Sequence, residues 1–277
     1  MVEGEALLFW VTVGLYLVSS CVALFCLIFR KPSWLRWVVG AMALGFVMHT
    51  LTLGLRWFET GHPPVMRDYE NTLAGSWVMV LGTLIVLSRF RSFTLLVAPV
   101  ALFVLLMLSY GVMRTPQAGP LTPPYQSVWL FIHVIFAWLA YASYSLAAGV
   151  ALMYLVGQAR PALAATNQLY RPFSSLEVLD DLSYRLITFG FVAEAVMLAA
   201  GSIWASRLWG SYWSWDPVET WALISWIIYA IYLHLRLFFG WQGKRSAYLA
   251  VVALLAVIFS FWGVNFLAGG LHIFNLI

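Results

Sequence analysis

Residues 209–221 read WGSYWSWDPVETW, and this aromatic stretch lies between two long apolar runs. Four of its side chains present large flat faces: Trp209, Tyr212, Trp213 and Trp215. Such faces have few rotatable bonds, so they can stack on a planar aromatic ligand at low entropic cost. Gly210 leaves room for close approach of that ligand. Because Trp and Tyr are also enriched where membrane proteins meet lipid headgroups, an interfacial aromatic belt is the alternative interpretation.

The acidic residues of this stretch match a helix start. Asp216, Pro217 and Glu219 fit the N-cap, N1 and N3 positions of a helix that begins here. A carboxylate at the N-cap satisfies backbone N–H groups that have no partner inside the helix. We therefore expect both carboxylates to be caps and not catalytic groups. The segment at about 207–221, called the tryptophan hairpin below, is predicted to connect two membrane-spanning helices.

The composition is that of a polytopic membrane protein. Hydrophobic residues make up 63% of the chain, charged residues 9%, and the mean hydropathy is +0.88. The basic residues are scattered and form no patch, so nucleic-acid binding has no support. The segment 7–29 lacks the basic region and cleavage site of a signal peptide, so we interpret it as a retained span. Cys21 and Cys26 both fall inside it and are expected to be inert packing residues.

Eight apolar segments are long enough to cross a bilayer as helices, which need about 20 residues each. They are 7–29, 35–57, 73–88, 92–111, 127–157, 186–206, 218–240 and 247–267. Most of the 15 Lys and Arg residues fall in one set of connections, and the other set holds Arg56, Arg67, Arg114 and Arg207. The positive-inside rule then places both termini and the tryptophan hairpin outside. We predict an all-α fold with residues 1–277 in a single integral membrane domain.

Three connections are longer than a simple turn. Residues 158–185, on the cytoplasmic side, are predicted to form an interfacial helix or a loop. The outer connections 58–72 and 112–126 contain several prolines, which exclude regular helix and favour an extended cover.

The tryptophan hairpin, followed by residues 229–234 and Arg236, resembles the WWD domain of bacterial and plastid haem-handling membrane proteins. Within that group the chain is most similar to the CcsA family, also called ResC or, in some genomes, CcsB. The resemblance runs from about Trp129 to the C-terminus, and its motif is long and specific. It implies the membrane subunit of the system II cytochrome c synthase, a cytochrome c haem lyase.

Two histidines are expected at the level of the tryptophan hairpin: His133, near the outer end of the fifth span, and His272, just after the last span. A lone interfacial histidine is usually only a hydrogen-bonded polar residue, but two beside an aromatic platform suit a bis-histidine porphyrin site. The resemblance implies that both ligate haem iron and that the hairpin, with Trp209, Tyr212, Trp213, Trp215 and Asp216, binds the haem.

Two further histidines, His49 and His234, lie inside the second and seventh spans, where an ionisable residue is by default functional. The resemblance implies an intramembrane bis-histidine site, although a structural role for His49 stays open. Glu194, inside the sixth span, either pairs with an arginine or stays protonated. Arg56 either contacts a haem propionate or extends to the interface. His62, before two prolines, is expected on the surface.

The resemblance implies that haem b crosses the membrane as cargo and is presented for covalent attachment to apocytochrome c. The implied partners are a CcsB/ResB-like membrane subunit, apocytochrome c carrying Cys-x-x-Cys-His, thiol-reducing thioredoxin-like proteins and membrane lipids. The implied location is the bacterial cytoplasmic membrane or the thylakoid, with the hairpin toward the periplasm or lumen. Two alternatives stay open: a CcmC-type haem-delivery protein without ligase activity, and a transporter or lipid-binding scaffold that binds no haem.

Overall fold

The computed structural model describes residues 3–29, 31–114, 117–159 and 176–266. Within these ranges all regular structure is helical, and eight helices are long and apolar enough to span a membrane. In chain order they are α1 Glu3–Phe29, α2 Leu35–Thr60, α3 Asp68–Arg89, α4 Val97–Arg114, α5 Val128–Ala159, α6 Leu176–Trp209, α7 Pro217–Phe239 and α8 Lys244–Phe261. The prediction of an all-α membrane protein with eight spans is confirmed.

Several helices extend beyond the apolar segments predicted from hydropathy. The third span begins at Asp68 and not at residue 73, and the sixth begins at Leu176 and not at 186. In both cases the added turns contain acidic residues whose charge is neutralised by a distant arginine. Glu70 pairs with Arg56, and Asp180 pairs with Arg236. The predicted connection 158–185 is accordingly shorter than expected, because its last ten residues belong to α6.

The helices form two compact units, the first built from α1–α4 and the second from α5–α8. In the first unit, glycines allow close helix contact, as is common in membrane proteins. A Cβ added at Gly45 of α2 would lie 2.6 Å from the ring of Tyr16 in α1. Gly61 ends α2 in a left-handed conformation with φ +70°, and its N–H donates to the carbonyl of Trp57. Both Cys21 and Cys26 are free thiols, and Cys26 is buried whereas Cys21 is exposed.

The core of the first unit contains a buried charge cluster. The Arg56 guanidinium donates two hydrogen bonds to one carboxylate oxygen of Glu70, at 2.9 and 3.1 Å, and lies 3.6 Å from Glu5. The Tyr69 hydroxyl donates to the other oxygen of Glu5 at 2.8 Å. All four side chains are fully buried. Removing one partner from such a cluster leaves an uncompensated buried charge, so it holds α1, α2 and α3 in one arrangement.

In the second unit, α5 and α6 run antiparallel and meet at two glycine notches. A Cβ at Gly190 would lie 2.7 Å from the ring of Tyr144, and one at Gly201 would lie 2.6 Å from His133. Asp180, near the start of α6, accepts two hydrogen bonds from the guanidinium of Arg236, which lies near the end of α7. It accepts a third from the backbone N–H of Gly243. These contacts join the start of α6 to the α7–α8 turn.

Candidate functional site

The tryptophan hairpin is a tight turn held by its own side chains. Gly210 follows α6 with φ +79°, and Trp215 adopts φ +59°, a region that non-glycine residues rarely occupy. The Asp216 carboxylate accepts a hydrogen bond from Val218 N at 2.9 Å, with Pro217 at the first helical position, so the predicted cap is confirmed. Such strain persists only where the surrounding contacts compensate for it, as happens at functional sites.

The second carboxylate of the hairpin does more than cap. Glu219 accepts hydrogen bonds from the backbone N–H of Ser214 at 2.8 Å and from its hydroxyl at 3.1 Å. It therefore reaches back across the turn and fixes the segment that carries Trp213 and Trp215. The prediction that it is structural and not catalytic fits this geometry.

The aromatic side chains of the hairpin divide into exposed and sheltered ones. Trp215 and Tyr212 are 70% and 64% exposed. Trp213 meets Trp215 edge to face, with ring centroids 5.8 Å apart. The indole nitrogen of Trp213 is buried and forms no hydrogen bond within the described residues. The hairpin thus offers two open aromatic faces and one unsatisfied N–H donor.

His133 lies on α5 and packs into the notch that Gly201 leaves in α6. Its Nδ1 is 2.8 Å from the carbonyl oxygen of Met197. A carbonyl can only accept, so Nδ1 carries the proton and a neutral ring has its lone pair on Nε2. This is the tautomer that a metal-ligating histidine requires, and a backbone carbonyl is a usual partner for its other nitrogen.

His133 and the tryptophan hairpin share one cleft. It has a volume of about 70 Å³ and is lined by His133, Gly201, Trp204, Tyr212, Trp213 and Glu219. Pockets that enclose a ligand are usually larger, at about 300–1,000 Å³. A ligand as large as a porphyrin is therefore too large to be enclosed by this cleft. His272, the predicted second axial ligand, lies outside the described residues.

The two intramembrane histidines have contrasting surroundings. His49 is fully buried in the first unit, with Nδ1 3.1 Å from the Tyr16 hydroxyl and the ring close to the backbone of Leu73. His234 is exposed on α7 of the second unit, and its ring lies 4.8 Å from that of Phe238 and 5.5 Å from that of Phe239.

Two expectations about polar residues are wrong. His62 is only 5% exposed, and its ring nitrogens lie 2.8 and 3.0 Å from the carbonyl oxygens of Pro63 and Gly119. The bond to Gly119 joins two separate stretches of chain, so a count of local prolines could not predict it. Arg56 is neither exposed nor open to a propionate, since its guanidinium is buried against Glu70 and Glu5.

The residues that position His133 are not indicated by the sequence. Gly201 and Met197 lie one turn apart on α6, and Trp204, on the next turn, donates its indole N–H to the Pro124 carbonyl at 2.9 Å. A glycine in an apolar helix is a usual sign of close packing. The packed residue, however, lies 68 positions earlier in the chain, so the pattern of α6 alone does not indicate it.

Comparison with known proteins identifies the family of this chain. The family model for cytochrome c assembly protein matches residues 66–272. The cytochrome c biogenesis protein CcsA of Guillardia theta is 36% identical over 270 residues, which cover 89% of this chain and 88% of that protein. The CcsA protein of Synechococcus sp. (strain CC9902) is 37% identical over 266 residues, covering 87% and 86%.

A solved structure, the cytochrome c heme lyase CcmF, has the same fold, with a TM-score of 0.67 at 18% identity. The match covers 94% of this chain and 47% of CcmF, so this chain spans about half the length of that protein. The resemblance to CcsA proteins predicted from the hairpin motif is confirmed by the family model and the curated relatives. This chain therefore belongs to the cytochrome c assembly protein family and is a relative of its CcsA members.

Proposed function

We propose that this protein acts in cytochrome c maturation, carrying haem across the membrane and presenting it at the tryptophan hairpin for covalent attachment to apocytochrome c. Membership of the cytochrome c assembly family supports the process. The cleft shared by His133 and the hairpin supports the place. Haem b is the cargo, and this chain supplies ligands and orientation.

The observation that carries the proposal is the hydrogen bond from His133 Nδ1 to the Met197 carbonyl. It directs the lone pair to Nε2, which would then be able to bind the haem iron. His272, which lies outside the described residues, would supply the second ligand. Trp209, Tyr212, Trp213 and Trp215 stack on or border the porphyrin, and Asp216 keeps the turn in place by capping α7.

The two intramembrane histidines hold the haem on its way to the hairpin. His49 supports this role because it is fully buried in the interior of the first unit, where an ionisable side chain is costly unless it is used. His234 lies beside aromatic rings on an exposed helix face, where a hydrophobic porphyrin can enter from lipid. The Tyr16 hydroxyl orients the ring of His49.

Attachment joins two cysteine thiols of the Cys-x-x-Cys-His motif to the two haem vinyl groups. In each addition the S–H bond and the vinyl π bond break, while a C–S bond and a C–H bond form, so atoms balance without a further reactant. Holding the vinyl groups and thiols in register supplies much of the rate, and no protein nucleophile is needed. A CcsB/ResB-like membrane subunit completes the ligase, and thioredoxin-like proteins keep the thiols reduced.

The hairpin faces the periplasm or the thylakoid lumen, and both termini lie on the same side. The distribution of Lys and Arg among the connections supports this orientation.

The test replaces the ligand and measures haem directly. His133→Ala is expressed with a reporter apocytochrome c and the CcsB-like partner, and covalent holocytochrome and haem per purified protein are both measured. We expect holocytochrome to fall below about a tenth of wild type, because outer ligation requires both axial histidines. Added imidazole should restore part of it. His62→Gln is the matched control, since it changes a buried histidine in the other unit.

Wild-type holocytochrome and haem content in His133→Ala would refute the proposed outer site. Haem bound by the wild-type protein without any covalent product, with the partner present, would instead assign a CcmC-type delivery function.

A further inference from the structure

A buried acidic group in the second unit has no part in the proposed haem route. Glu194 of α6 is fully buried, as are Tyr144 of α5 and two residues of α7, Ser225 and Tyr229. All four lie on helices that are long and apolar enough to cross the membrane. An ionisable side chain in such a place is costly and therefore usually functional.

Two hydroxyl groups contact the carboxyl group of Glu194, one on each oxygen. The Tyr144 hydroxyl donates to Oε2 at 2.7 Å, and the Ser225 hydroxyl is hydrogen-bonded to Oε1. Ser225 Oγ is also 2.8 Å from the carbonyl oxygen of Ala222, one turn earlier on its own helix. Three hydrogen bonds thus converge on this carboxyl group and its serine partner.

Counting protons favours one state of this group. The Ala222 carbonyl can only accept, so Ser225 must use its single hydroxyl proton there for that bond to form. The bond between Ser225 and Glu194 then needs a proton from the carboxyl group. Tyr144 supplies the proton for the third bond. With one proton for each bond, all three exist together when Glu194 is a protonated acid that donates from Oε1 to Ser225. If Glu194 is ionised, Ser225 must donate to Oε1 and has to share its single proton with the Ala222 carbonyl.

The surroundings of Glu194 favour the same state. None of the ion pairs among the described residues involves it, unlike Glu5 and Glu70, which both lie beside Arg56. The other ionisable groups that face it are neutral phenols, Tyr141 on α5 and Tyr229 on α7. A carboxylate buried without a cation in an apolar interior neutralises by binding a proton.

Tyr229 provides a second, independent observation. Its ring stacks face to face on that of Tyr144, with centroids 3.5 Å apart, and Gly190 leaves room for this pair. Its hydroxyl is fully buried and has no hydrogen-bond partner among the described residues. A buried hydroxyl group without a partner indicates a polar ligand, and a water molecule is the smallest ligand that can form the missing hydrogen bond.

We propose that Glu194, Ser225 and Tyr144 form a proton-binding site inside the membrane-spanning part of the second unit, with the proton on Glu194 Oε1. The Tyr229 hydroxyl is the polar group through which water exchanges that proton. The site is independent of haem, so it stands or falls separately from the proposed function.

Infrared spectroscopy of the full-length protein in lipid nanodiscs tests the site. A protonated carboxylic acid has a C=O stretching band well separated from carboxylate bands. We expect this band at neutral pH in wild type and its loss in Glu194→Gln, whose amide can still accept from Tyr144 and donate to Ser225. Glu177→Gln is the matched control, because Glu177 lies exposed on the same helix and its change should leave the band in place.

The band also reports its hydrogen bonds. Ser225→Ala removes the acceptor of the acid proton, and Tyr144→Phe removes the donor to the other oxygen while keeping the stacked ring. Each should move the band to higher frequency. A spectrum without a band that depends on Glu194 overturns the proposal. If Glu194→Gln does not fold, an unchanged band position in both Ser225→Ala and Tyr144→Phe overturns it equally.

Discussion

Gly201→Ala tests how the fold positions His133. The added Cβ would lie 2.6 Å from His133 Nδ1 and 3.0 Å from its Cε1, while ordinary contact begins at 3.4 Å. The imidazole must therefore move by about 0.8 Å, the difference between 2.6 and 3.4 Å. A shift of that size takes Nδ1 from 2.8 Å to beyond hydrogen-bonding distance of the Met197 carbonyl.

We expect Gly201→Ala to weaken haem binding more than it destabilises the fold. Losing the partner of a metal-ligating histidine typically lowers metal affinity about 10- to 100-fold, or roughly 1.4–2.7 kcal/mol. Overpacking a core costs about 1–3 kcal/mol of stability. Alanine has a higher helix propensity than glycine, which offsets about 1 kcal/mol of this loss of stability, so the variant should still fold.

Gly190→Ala provides a matched control on the same helix. Its Cβ would lie 2.7 Å from the Tyr144 ring, a steric conflict of equal size that does not touch His133. Haem titration followed by absorbance should give a 10- to 100-fold higher Kd for Gly201→Ala and a near wild-type Kd for Gly190→Ala. Thermal unfolding should show similar stability losses for both. Equal haem affinity in the two variants would refute this positioning role.

The other predictions concern the intramembrane histidine, the buried charges and the hairpin. His49→Ala should abolish the haem absorbance of the purified protein. Tyr16→Phe should lower the haem content less, because it removes only an orienting hydroxyl. A wild-type haem content in His49→Ala would mean that His49 has a structural role. Arg56→Met should lower the free energy of unfolding by about 3–5 kcal/mol, because it leaves buried carboxylates uncompensated. Arg114→Met, which removes a partly exposed ion pair, should lower it by less than about 1 kcal/mol. Equal losses in denaturant titrations would contradict this. Trp213→Phe should leave the stability of the protein unchanged, since the indole N–H of Trp213 has no partner among the described residues. The same change should weaken haem binding severalfold. An unchanged haem affinity would show that only the aromatic face of residue 213 contributes to binding.

The sequence by itself determined the membrane class, the eight spans, the cap at Asp216 and the family. These features depend on local patterns, because hydropathy is a sum along one helix and a cap involves residues two or three positions apart. The predicted bounds were less accurate at α3 and α6. Hydropathy excludes Glu70 and Asp180 from a span, whereas the fold includes them because arginines from other helices neutralise their charge.

Only the tertiary structure decided how the polar residues are used. His133 has a defined tautomer because a glycine and a carbonyl of α6 meet it, and His62 is buried because a distant stretch of chain covers it. Glu194 has hydroxyl partners on α5 and α7 and no arginine, which no pattern within α6 indicates. In a membrane interior each polar group needs a partner, and that partner comes from whichever helix packs beside it. The choice of neighbouring helix is a property of the packed fold, so it cannot be predicted from the hydropathy of the segment itself.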